Sequence, residues 1–364
     1  MLTLTEPTLL LDKQKCIRNI QMMVEKAKKN NVVFRPHFKT HQSHEVGRWF
    51  RNEGVTKITV SSLTMAEYFA KDGWKDITVA IPVNVHEKER INRLASTITL
   101  NLLVVGPDNI GWLAQEVKHP INIFIEADNG YHRSGVSPSD FKLIDSILNE
   151  IGNHKNFRFA GFLGHAGHSY KSTGVNEILK VHKESIALLL PLKEKYKAKY
   201  PNLVLSPGDT PTCSVAENFE GVDEIRPGNL VFYDVMQTVL GSCSVDQIAV
   251  AMACPVIATY PERNEVVIHG GGIHFAKDFL KQPDGSLTYG KVVTRSTHGW
   301  DTAETGMYVK SLSQEHGVIH APKTQAEKIK LGDFLTILPI HSCMTVDAMR
   351  AYLTLDGERF TTYR

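Results

Sequence analysis

Lys39 stands in Phe34-Arg35-Pro36-His37-Phe38-Lys39-Thr40-His41, directly after the apolar run Val32-Val33-Phe34. A lysine at the C-terminal end of a short buried strand has its ammonium at the mouth of a sheet or barrel. There it can lose its proton and attack a carbonyl. Most lysines are solvated surface groups, so the position gains weight only from its company. Gly164-His165-Ala166-Gly167-His168-Ser169-Tyr170 packs two histidines and a tyrosine between glycines. Such residues suit a metal or a planar ring, or a loop whose histidines are merely satisfied. Asp128-Asn129-Gly130-Tyr131-His132-Arg133-Ser134-Gly135 sets Arg133 between glycines. A guanidinium there can hold a phosphate or carboxylate bidentately, or pair on the surface. Ser206-Pro207-Gly208-Asp209-Thr210-Pro211-Thr212 offers amides and hydroxyls for a phosphate. Asp209 opposes an anion unless it faces away, and an ordinary turn explains the composition equally well.

His341-Ser342-Cys343 follows the apolar run 334–339. Read as a continued strand, positions i and i+2 share one face. An imidazole and a thiolate on one face suit Zn2+ and leave positions open for water or substrate. With 16 His and 5 Cys in 364 residues, chance gives roughly 0.2 such His-x-Cys pairs, so the spacing alone specifies little. No second Cys or His lies close by in sequence to complete a structural site, which favours an open catalytic one.

The elements that must position these groups are legible as alternation. Apolar runs at 32–37, 57–60, 77–80, 98–104, 121–125, 159–165, 203–206 and 223–226 alternate with helix-like stretches. The stretch 19–30 carries Ile20, Met23, Val24 and Ala27 at helical spacing, and 64–72, 139–149 and 176–200 behave alike. Eight strands alternating with helices predict an α/β fold with a (β/α)8 barrel, whose chemistry sits at the C-terminal strand ends. A doubly wound sheet is the other arrangement that counting allows. The candidates cluster at those ends: His37 and Lys39 after the first run, Arg133 after the fifth, and His165 to Tyr170 after the sixth. Gly208 to Thr210 follow the seventh, and Arg226 ends the eighth. After about residue 243 the pattern turns to strands and turns without helices, which predicts a mainly antiparallel β domain. Leu9-Leu10-Leu11 is expected to add a strand to it. The expected organisation is an N-terminal strand segment 1–20, a barrel 21–243 and a β domain 244–364.

Lys plus Arg number 41 and Asp plus Glu 39, a net charge of +2. That balance calls for neither nucleic acid nor an anionic membrane. Five cysteines, odd in number and far apart, are no disulfide framework and fit a reducing cytoplasm. The N-terminal residues lack a basic stretch followed by an apolar one, and no apolar run reaches transmembrane length. The expectation is a soluble, cytoplasmic protein that acts on a small molecule.

Taken together, these segments resemble the D-serine dehydratase / D-threonine aldolase family, fold-type III pyridoxal-phosphate enzymes with an alanine-racemase-like barrel. The resemblance runs from Pro7-Thr8-Leu9-Leu10-Leu11-Asp12 through residues 35–41, 130–135 and 165–170. It continues through Glu224-Ile225-Arg226-Pro227-Gly228-Asn229-Leu230-Val231-Phe232-Tyr233-Asp234 to His341-Ser342-Cys343. It implies that Lys39 forms a Schiff base with pyridoxal 5'-phosphate, with His165 near the ring and Arg226 at the pyridine nitrogen. Gly208, Thr210 and Tyr233 look like phosphate contacts. His37, Arg133, Tyr170 and Asp209 would belong to the same pocket. His341 and Cys343 match a metal pair, with Zn2+ as the metal. Relatives that are D-threonine aldolases typically carry aspartate at the second metal position, so Cys343 leans toward a dehydratase. Two positions depart from the pattern: Ile340 where asparagine often precedes the metal histidine, and Asp209 where a small hydroxyl residue is common. Gly270-Gly271-Gly272-Ile273-His274 matches nothing in it.

The implied activity is a metal-assisted lyase on a β-hydroxy D-amino acid, eliminating to a keto acid and ammonia, in a homodimer. The alternatives are retro-aldol cleavage to glycine and an aldehyde, a metal-free racemase, and a pyridoxal-phosphate carrier without turnover. A metal-only barrel hydrolase is a further one. The β domain counts against the carrier, typically a barrel alone.

Overall fold

The computed structural model describes residues 3–296, 299–301 and 305–364. The chain divides into two units: Gln21–Lys39 with Gly47–Gly228, and the chain up to Ile20 with Thr40–Val46 and Asn229–Arg364. Segments 40–46 and 229–243 therefore group with the β unit, although a boundary drawn by composition falls at 243.

In the first unit, short runs rich in Ile, Val and Leu form parallel strands buried beneath helices, as such sheets require. Lys57–Val60, Asp76–Pro82, Thr99–Val104, Ile121–Glu126, Phe157–Leu163 and Val204–Ser206 lie in that order in one sheet. Val33–Phe34 pairs in parallel with Glu224–Ile225. The ring closes on both sides. Phe38 donates its amide to the Thr59 carbonyl at 2.8 Å, and Asp223 donates to Leu205 at 3.1 Å. The expected eight-strand barrel is thus present. Its helices include Leu63–Lys71, Phe141–Gly152 and Val175–Tyr196. Ser62 and Asp140 cap the first two by accepting from Met65 and Leu143 amides, the preferred N-cap chemistry.

Arg35 belongs to the barrel interior and not to its mouth. Its Nε donates to Glu224 at 2.6 Å and a terminal nitrogen donates to Asp76 at 2.7 Å. Asn101 continues the network to Asp76 at 2.8 Å. A buried guanidinium is tolerable only with such partners.

The second unit is a nine-stranded, mainly antiparallel sheet. Val250–Tyr260 pairs with Phe334–Pro339, Glu265–His269 and Thr8–Leu11. Glu265–His269 also pairs with His316–His320, so the sheet curls and closes on itself. The N-terminal strand sits between Val250–Tyr260 and Ala351–Thr354. Three strands that composition does not announce are Tyr308–Leu312, Ala351–Thr354 and Arg359–Thr361. The expectation of a β domain without helices is also corrected. Ser342–Met349 is an α-helix and Gly272–Phe275 a single helical turn. The longer helix starts where Asp234 accepts from the Ser342 amide at 3.0 Å. That cap comes from 108 residues away in sequence, so no local pattern signals it.

Candidate functional site

Phe38 explains how Lys39 is presented. Its ring is fully buried against Phe50, Phe69 and Trp74, at centroid distances of 5.1, 4.9 and 5.1 Å. The chain is thereby pinned one residue before Lys39, which emerges exposed just beyond the strand end. The Lys39 amide donates to His37 Nδ1 at 3.3 Å.

Around this point the first unit gathers positive and polar groups. Burial drives His37 well below its ordinary pKa, helped by the charges of Lys39, Arg226, His165 and Arg133. Five of the sequence candidates thus share one electrostatic neighbourhood. His165 is pushed down to about 3, chiefly by burial and against a hydrogen bond to the Gly208 carbonyl. Its ring is therefore neutral at physiological pH. Nδ1 carries the proton, because only an N–H can donate to the Gly208 oxygen. The Arg226 guanidinium is buried and donates to the Ser206 carbonyl and hydroxyl and to the Gly164 carbonyl. Burial lowers it to about 10, still charged at neutral pH. Gly208 permits this crowding: a Cβ there would meet Arg226 Cβ at 2.8 Å.

The loop after Val204–Ser206 is built by Asp209 in a way composition leaves ambiguous. Its carboxylate turns inward, accepting from the Thr212 amide and hydroxyl and from the Ser169 hydroxyl at 2.7–2.8 Å. It caps the short helix Thr210–Val215, and burial raises it to about 6. Asp209 therefore shapes the loop and spends its oxygens there. The Thr210 amide donates to Tyr170 Oη at 3.3 Å, and Thr210 Oγ1 accepts from the Gly228 amide at 3.3 Å. Tyr233 belongs to the β unit, with φ +48° and its amide on the Asn229 carbonyl at 2.7 Å.

Several groups were not singled out by sequence. Tyr131 lies edge-on to His165 at 5.7 Å, and Arg133 lies over the Tyr131 ring at 5.4 Å. Glu126 is buried at the C-terminal end of its strand, its pKa raised by burial and eased by Ser134. Its Oε2 and the buried Asn129 Nδ2 lack partners, which is costly for buried polar atoms. Both residues line a small cavity with Tyr131, Arg133, Ser134 and His165. Only the strand-end position of Glu126 and the glycines around Tyr131 could have flagged them.

In the β unit, His341 is the N-cap residue of Ser342–Met349 and Cys343 lies in the first turn. The two side chains do meet in a hydrogen bond, but at a helix start and not along a strand, which corrects the i,i+2 argument. Asp278 lies 3.4 Å from His341 Nδ1. That carboxylate leaves Nε2 available to a cation and fixes the ring, the usual outer support of a metal histidine. Burial opposes charge on His341, yet Asp278 and Cys343 hold it protonated up to about 11. The pair thus favours a positive occupant. Cys343 Sγ is 3.3 Å from Thr40 Oγ1 and accepts from Asn229 Nδ2 at 3.6 Å. Asn229 also donates to Asp234 at 2.8 Å. Asp234 stands behind the pair, accepting from Asn229 Nδ2 and from the Ser342 amide.

Two family descriptions match this chain: "Alanine racemase, N-terminal domain" over residues 11–235 and "Putative serine dehydratase domain" over residues 249–355. A D-serine dehydratase of Dictyostelium discoideum is 30% identical, covering 93% of this chain and 90% of that protein. A D-threo-3-hydroxyaspartate dehydratase of Delftia sp. strain HT23 is 29% identical over 98% of this chain and 96% of that protein. The solved structure of the Delftia enzyme superposes with a TM-score of 0.89 at 28% identity, covering 99% of this chain and 98% of that one. A cysteine-to-alanine mutant of it in the metal-free form gives 0.91 at the same identity and coverage. The chain therefore belongs to the D-serine dehydratase / D-threonine aldolase family of fold-type III pyridoxal-phosphate enzymes and is an enzyme of the lyase type.

Proposed function

We propose that the chain removes water across Cα–Cβ of a β-hydroxy D-amino acid, D-serine foremost, and that the released enamine takes up water again to give a keto acid and ammonia. The observation that carries this is the group formed by Lys39, His165 and Arg226 at strand ends of the barrel, beside unpartnered buried polar atoms. A lysine nucleophile, a neutral imidazole, a fixed guanidinium and a glycine loop packed close on that guanidinium fit an aromatic aldehyde bearing a phosphate. Lys39 would hold pyridoxal phosphate, with His165 and Arg226 at its ring. Gly208, Thr210 and Tyr233 would serve its phosphate, and His37, Tyr170 and Arg133 would complete the pocket. Asp209 would act through the loop and not by contact. When bound, the cofactor withdraws electrons from Cα and so makes its proton acidic.

The chain's own groups do the rest. Lys39, the residue that would hold the cofactor, would with its Nζ free also be the base that takes the Cα proton. His165, neutral and tied through Nδ1, adds no charge to the pocket. Arg226 keeps its own charge on a rigid carbonyl mount. His341 and Cys343 would hold a divalent cation, which we assign as zinc from the imidazole and thiolate donors. Such a cation supplies Lewis acidity toward an oxygen. Cys343 in place of aspartate favours elimination over retro-aldol cleavage. We assign a homodimer in a reducing cytoplasm as the working form. Five free cysteines support the compartment, and the described helices include none long and apolar enough to cross a membrane.

Borohydride trapping tests the carrier of the proposal. The holoprotein should gain the reduced cofactor's mass on the peptide containing Lys39. Lys39→Ala should lose that label and lower turnover by about 10²–10⁴-fold or more. Label on another lysine, or full turnover in the variant, would end the assignment.

A further inference from the structure

The Gly270-Gly271-Gly272-Ile273-His274 segment has no place in the lyase chemistry, yet it is built with care. It leaves the strand Glu265–His269 and passes against the turn 313–315. Gly270 donates to the Glu315 carbonyl at 2.8 Å, and Gly272 donates to the Ser313 carbonyl at 2.7 Å. A Cβ on Gly271 would lie 2.2 Å from the Gln314 oxygen, so glycine is required for this approach. The consequence is a meeting of three side chains. One ligand-type atom from each of His269, His274 and Glu315 lies within 4.8 Å of the other two. His269 Nε2 is 3.4 Å from Glu315 Oε2, and the two imidazoles stand at 89° with centroids 5.4 Å apart.

We propose that His269, His274 and Glu315 form a second divalent-cation site, suited to zinc, in addition to the His341–Cys343 pair. Two imidazoles and one carboxylate are a sufficient zinc donor set, with water in the remaining position. All three residues are half-buried, which leaves room for that water. His274 is kept below the ordinary histidine range mainly by burial and also feels the carboxylates of Glu315 and Glu6. The Gly271 amide donates to His274 Nδ1 at 3.1 Å. A cation on Nε2 moves the ring proton to Nδ1 and releases that contact, exchanging one hydrogen bond for a metal bond. The site would also clamp the segment that continues to Phe275, whose carbonyl accepts from Thr345, and to Asp278, the partner of His341. The proposal holds whether or not His341 and Cys343 carry the catalytic cation.

The test is zinc content per chain after equilibrating the purified holoprotein with buffered zinc. The wild type should hold two. His274→Ala and Glu315→Ala should each hold one, and Cys343→Ala should hold one, lost from the other site. Glu315 lies on an exposed turn with its side chain 45% open, so its variant keeps the test valid if His274→Ala melts early. One zinc in the wild type that is lost with His274 or Glu315 and kept without Cys343 supports the second site and counts against the first. Wild-type zinc content in both Glu315→Ala and His274→Ala overturns the proposal. A single zinc lost only with Cys343 also overturns it.

Discussion

At the scale of single residues, the pocket depends on side chains held in one protonation state. His165 is depressed from about 6.5 to about 3 in the folded chain. A depressed histidine binds fewer protons folded than unfolded, so its stabilising effect is full above about 6.5 and drains as pH falls toward 3. The change is up to about 5 kcal/mol over that window, by the worth of one pKa unit. His165→Asn, whose amide can still donate to Gly208, should flatten the loss. Urea midpoints of the cofactor-free protein from pH 7 to pH 4 would measure it. Identical slopes for variant and parent would mean that His165 is solvated in the native state. Residue types alone placed Lys39, His165 and Arg226 at strand ends, because barrel chemistry gathers there. They could not assign Asp209, since a carboxylate in a loop reads alike whether it repels a ligand or caps a helix. Only its contacts with Thr212 and Ser169 decide.

At the scale of elements, the barrel strands were legible because each is a short apolar run set off from its neighbours by a helical stretch or a polar loop. The runs at 57–60 and 121–125 fall on observed strands Lys57–Val60 and Ile121–Glu126. The β unit was less legible. Tyr308–Leu312 reads YVKSL, half polar on an open face, and the helix Ser342–Met349 takes its cap from distant Asp234. Long-range contacts override weak local preference in both cases. His341 and Cys343 therefore meet for a reason that strand periodicity does not contain. Arg35 illustrates the opposite error: it lies in the same short motif as Lys39 but serves the barrel. Arg35→Leu would leave Glu224 and Asp76 without their partner. We expect a loss of about 3–5 kcal/mol, the cost of breaking a buried pair from one side. A guanidinium chloride midpoint close to the parent's would show that solvent reaches this network.

At the scale of the whole molecule, the account joins a cofactor-dependent barrel and a cation-dependent β unit in one lyase. The two dependences are separable by experiment. Cys343→Ala should keep the borohydride-trapped cofactor on Lys39 while losing β-elimination, and a trapped, fully active variant would remove the cation from the chemistry. The central claim is tested most directly by incubating the purified holoprotein with D-serine and following pyruvate, with and without a chelator. The account predicts pyruvate that falls away under chelation and returns with added zinc. Pyruvate that persists undiminished after the metal is removed, or no pyruvate from a protein that holds its cofactor, would contradict it.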